Sequence, residues 1–104
     1  MIPVVNYSHL RDHAVALLSA RENRVVDIRN YGDGRPRKDF WILWNEHVDE
    51  VRNDTITLPL DLNEILDDLN DDPDIPEWFR VILRAYIEVI PEQHRTNISI
   101  KYSW

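Results

Sequence analysis

The chain contains no cysteine, only two glycines and a single methionine in 104 residues. Without cysteine there is no disulfide, no thiolate nucleophile and no Cys-ligated zinc, a composition compatible with a reducing compartment. A cytoplasmic location is therefore the expectation. Gly32 and Gly34 are too few to build a phosphate-cradling loop or a dinucleotide fingerprint, so no nucleotide cofactor is expected. No apolar run approaches the roughly 20 residues needed to cross a bilayer, and the opening "MIPVVNYSHLRDH" lacks a charged start followed by a long apolar stretch. Neither membrane insertion nor export is expected. Ser8, Ser19, Ser99 and Ser103 stand in no Gly-x-Ser-x-Gly context, and none reads as a nucleophile.

Apolar residues make up 43% of the chain and charged residues 30%, with four Trp and four Tyr, which is the composition of one globular domain over residues 1–104. The formal net charge of −7 is unevenly spread. Residues 46–79 hold twelve acids against Arg52 alone, a net −11, while each flank carries +2. Within that middle third, "DDLNDDPDIPEW", Asp67 to Trp78, places six acids in twelve residues.

The hydrophobic spacing predicts the following order. "MIPVV" reads as a short edge strand, where Pro3 is tolerated because no ladder donor is needed. Ser8 caps a helix to about Glu22, with Leu10, Ala14, Leu17 and Leu18 at helical spacing. "NRVVDIRNY" and "DFWILWN" are β-branched and aromatic and flank "GDGRPRK", so they read as a hairpin turning at Asp33-Gly34. "DTITLPL" reads as a strand near an edge or nearing its end, because Pro59 disfavours a central strand position. Asp61 then opens a helix through Asn70, with Leu62, Ile65, Leu66 and Leu69 inward and Asp61 and Glu64 at capping-box spacing. A more apolar helix covers about Ile75 to Ile90. It is either central to the core or covers a partner. Pro91 stops it, and "TNISIKYSW" alternates as a half-buried strand. The expectation is an α+β domain of order (β)αβββααβ, mostly antiparallel, with the helices on one face of the sheet.

Candidate chemistry is sparse. His9 and His13 are spaced i, i+4, but the Glu that completes the metalloprotease motif is absent, so they read as a partly solvated pair. Glu46, His47 and Asp49 are possible acid–base groups, as is His94 if a pocket joins a histidine to the acids; a surface role is favoured. Asp68, Asn70, Asp72 and Asp74 echo positions 1, 3, 5 and 7 of an EF-hand loop. Pro73 and Phe79 then occupy the positions that demand Gly and Glu. No metal is expected. Asp74 and Glu77 have capping-box spacing at the head of the apolar helix 75–90, and Pro76 suits an early helical position. Arg35, Arg37 and Lys38 beside Phe40, Trp41 and Trp44 have the look of a nucleic-acid contact, which the net negative charge opposes.

Capping leaves Asp67, Asp68, Asp71 and Asp72 unexplained. The expectation is a non-enzymatic inhibitory binding protein, without cofactor, that covers the active site of a basic nuclease-type toxin as an immunity protein or antitoxin does. That analogy rests on size and charge, because no family motif is present. Glu64, Asp67, Asp68, Asp71 and Asp72 would steer and pair with the basic partner, and Trp78 would be the aromatic anchor. The alternatives are a DNA-mimic inhibitor of a DNA-binding protein, and an oligomerising accessory subunit that uses the apolar helix 75–90.

Overall fold

The chain is described here by a computed structural model covering residues 2–28, 38–49, 52–53 and 55–102, with backbone only for residues 38, 39, 52 and 53. Asn6 ends strand β1 (Val4–Asn6) and caps helix α1 (Tyr7–Glu22): its side-chain oxygen accepts from the Ser8 amide at 3.0 Å and the Ser8 hydroxyl at 2.7 Å. The cap is thus Asn6 and not Ser8, which lies two residues too late. At the other end Asn23 adopts φ 54°, the left-handed conformation that asparagine tolerates. Helix α2 (Lys38–His47) follows, then β2 (Arg52–Asn53), β3 (Ile56–Thr57), α3 (Leu62–Asn70), α4 (Glu77–Glu88), a 3-10 turn at Glu92–His94 and β4 (Ser99–Lys101).

The domain is α+β, but its sheet is mixed, not mostly antiparallel. Strands lie in the order β1-β4-β3-β2. The last strand inserts beside the first in parallel, matching Val4 with Ser99 and Asn6 with Lys101, and pairs antiparallel with β3 at Ile56 and Lys101. A parallel pair needs a long crossover, and the helical body of the chain supplies it. Placing β4 in the middle also explains why Ile98, Ser99 and Ile100 are all buried where strict alternation would expose Ser99. One sheet face turns Val5, Thr57 and Ile100 inward; the other carries the exposed Val4 and Ile56.

The expected hairpin is replaced. "DFWILWN" is helical, because Phe40, Trp44 and Val48 recur every four residues and all three are buried at 1% exposure. Residues 24–27 form no strand, and the expected turn at 33–34, with Arg35 and Arg37, lies outside the described residues. Burial of Phe40 and Trp44 also removes them from any nucleic-acid surface.

Helix α4 is central to the core. Phe79, Ile82, Leu83, Ala85, Tyr86 and Ile87 are buried, packed between α1 and α3. At its deep end the Tyr7 and Tyr86 hydroxyls meet at 2.8 Å, and the Trp44 indole N–H donates to the Tyr102 hydroxyl at 2.6 Å. Every one of these rings thus carries a paired polar tip, as burial of tyrosine and tryptophan requires. Burial pushes the Tyr7 phenol up to about 12 despite the bond from Tyr86, and raises Tyr86 well above the ordinary range.

Candidate functional site

Helix α3 is amphipathic as its spacing predicts. Leu62 and Leu69 are buried, Ile65 and Leu66 half-buried, and Asn63, Glu64, Asp67 and Asp68 face outward. Asp61 caps it, accepting from the Glu64 amide at 3.0 Å. Glu64, Asp67, Asp68 and Asp71 are spaced by three or four residues, which brings them to one side of the helix with neighbouring Cβ atoms roughly 5–6 Å apart. They form a continuous acidic edge at which like charges oppose one another.

The turn after α3 is held from α4. Arg80 Nε donates to the Leu69 carbonyl at 3.1 Å, and its Nη2 donates to the Asp72 carbonyl at 2.7 Å. Its Nη1 donates to Glu77 Oε2 at 2.9 Å. A cation at a helix C-terminus satisfies carbonyls that have no partner within the helix and offsets the negative end of the dipole. Arg84 completes the arrangement with Asn70 Oδ1 at 3.2 Å and Glu77 Oε1 at 3.1 Å. Hydrogen bonds from Arg80 and Arg84 hold the Glu77 carboxyl below its usual range. Both arginines therefore turn to backbone, amide and Glu77. Among the described residues, no basic side chain forms an ion pair with Asp67, Asp68 or Asp71.

Asp72 is half-buried, and its Oδ1 accepts from the Asp74 amide at 2.9 Å. Asp74 does not cap α4: Pro76 is the N-cap, with φ −67° and ψ 145°, and no side chain bonds there. Two positions of the EF-hand echo, Asn70 and Asp72, are thus engaged within the chain. Trp78 is half-buried, packed against the core and edge-on to Phe79 at 6.0 Å.

A cleft of about 190 Å³ between α2 and α3 joins Glu46 and His47 to Asp68 over Ile65 and Leu69. His47 Nε2 lies 3.8 Å from Glu46 Oε2. Asp49, the third acid–base candidate, is buried and does not line this cleft, and His94 lies at a different pocket. Among the described residues, no hydroxyl lines the cleft. Among the described residues, no three His, Asp or Glu side chains stand where they could hold a metal ion. What it can do is receive a cationic side chain, with the stem on Ile65 and Leu69 and the head between two carboxylates.

Sequence reasoning found the acidic edge and missed the Arg80 clamp, which spans eleven residues and has no local signature. Compared with protein-family models, curated proteins and solved structures, the chain matches none.

Proposed function

We propose that the chain is a small inhibitory binding protein that presents an acidic edge to a basic protein, in the manner of an immunity protein or antitoxin against a nuclease-type toxin. One observation carries this reading: Asp67, Asp68 and Asp71 are exposed and have no ion-pair partner among the described residues, although two arginines are anchored within a turn of them. Uncompensated like charges cost stability. Their use lies outside the chain, where a concentrated negative edge speeds encounter with a basic partner. Trp78 and the floor of the Glu46–Asp68 cleft supply the neighbouring apolar contact, and the cleft accepts a partner Lys or Arg.

Burial of the apolar residues of α4 in the chain's own core favours this reading over an oligomerising subunit built on that helix. The test is capture from a native-host extract at low salt by the wild-type chain and by an Asp68→Lys/Asp71→Lys variant. The expected result is a basic protein retained by the first and lost by the second, with its nuclease activity suppressed by the wild-type chain. Suppressed DNA binding without a nuclease would assign the DNA-mimic form. Equal retention by both chains would remove the acidic edge from the account.

A further inference from the structure

Three of the four histidines, His9, His13 and His94, line a single pocket of about 280 Å³. His9 and His13 sit one turn apart on α1, and His94 closes the 3-10 turn that follows α4. The floor is apolar and belongs to the core: Leu10, Ile90 and Ile98 are each 2% exposed. Among the described residues, no aspartate or glutamate lines it. The pocket also opens beside the first turn of α1, which carries no acidic residue and whose dipole favours negative charge. Its far wall is fixed, because Arg95 Nε donates to the Ile90 carbonyl at 3.0 Å.

The histidines do not converge on a point. Since no three His, Asp or Glu side chains among the described residues could hold an ion, the imidazoles rim an apolar hollow and suit an extended ligand better than a metal. An imidazole keeps at least one N–H donor whether neutral or charged. Donors at the rim, an apolar floor and no carboxylate among the described lining residues together suit an acceptor-headed ligand with an apolar body. The volume lies just under the roughly 300 Å³ at which drug-sized pockets begin, so that body is short.

We propose that this pocket binds a small amphiphilic carboxylate, its apolar body on Leu10, Ile90 and Ile98 and its head group hydrogen-bonded by His9 and His13, which lie one turn apart on α1, with His94 elsewhere on the rim. It shares no lining residue with the acidic edge and stands or falls separately from the function proposed above.

The probe is octanoate, titrated into the isotopically labelled full chain and followed by amide shifts, with 1-octanol and acetate as controls. Saturable shifts at Val5, His9, His13, Val89 and Ile98 are expected from octanoate. Acetate produces none, and octanol binds at least about tenfold more weakly, since it lacks the charged acceptor. His9→Ala/His13→Ala changes two exposed side chains and lowers octanoate affinity by at least about tenfold with an unchanged melting temperature. Absence of saturable shifts at the pocket, octanol binding as tightly as octanoate, or unchanged octanoate affinity in the folded double variant would each overturn the assignment.

Discussion

Arg80 links the fold to the acidic edge, and Arg80→Met isolates what it does, because methionine keeps the apolar stem while deleting the guanidinium. The arginine side chain is 14% exposed and makes three hydrogen bonds, of which the one to Glu77 counts least because that carboxylate is 64% exposed. The bonds to the Leu69 and Asp72 carbonyls are charge-assisted and part-buried. Each such bond contributes roughly 1.5–3 kcal/mol, and both carbonyls keep a backbone donor, the Asp72 amide on Leu69 and the Ile75 amide on Asp72, so about 2–3 kcal/mol is expected for the substitution. For a domain of this size that lowers the melting temperature by roughly 8 °C or more. Arg84→Met is the internal comparison. Its side chain is 42% exposed and bonds to surface groups, so about 0.5 kcal/mol is the expected cost. Urea unfolding of the two variants decides the matter: equal costs, or less than about 0.5 kcal/mol for Arg80→Met, would refute the clamp.

Other expectations follow from the same geometry. Tyr7→Phe removes the partner 2.8 Å from the fully buried Tyr86 hydroxyl and should cost about 1–3 kcal/mol, while the double variant Tyr7→Phe/Tyr86→Phe should cost less than the sum of the singles; additive losses by chemical denaturation would deny the coupling. Because burial raises the Tyr7 phenol to about 12 against an ordinary value near 10, the unfolded chain ionises first. Stability is then intact below about pH 10 and lost as pH climbs to about 12, by roughly 2–3 kcal/mol from Tyr7 alone; a urea midpoint that stays flat over that interval would contradict this. Asp61→Ala should cost about 1 kcal/mol through loss of the α3 cap, and Asp74→Ala should cost less than half of that, since its side chain caps nothing; matching losses would reverse the assignment.

Legibility followed the strength of the local signal. Helices α1 and α3 were readable because Leu10, Ala14 and Leu18, and Leu62, Ile65 and Leu69, repeat at helical spacing without competition. Helix α2 is hard to read from the sequence because Phe40, Trp41, Ile42 and Trp44 are strand-favouring by residue type, while the deciding four-residue spacing extends through Val48, past the aromatic segment itself. The parallel pairing of β1 with β4 joins the two ends of the chain and leaves no local trace. Asp74 and Glu77 have the spacing of a capping box, yet Asp72 folds the chain back onto the Asp74 amide, and Pro76 starts the helix instead. At the site, the acids were visible as composition. Whether the chain neutralises them depended on where Arg80 and Arg84 point, which only tertiary packing between α3 and α4 determines.

The most direct test of the acidic edge is the association rate with the captured basic partner as a function of ionic strength, for wild type and for Asp68→Lys/Asp71→Lys. The wild-type rate should fall steeply with added salt, and the variant should be at least about tenfold slower at low salt with little salt dependence. Relief of repulsion should meanwhile leave the variant's stability unchanged or slightly raised. Equal rates and equal salt slopes for the two chains would contradict the claim that these aspartates serve a partner.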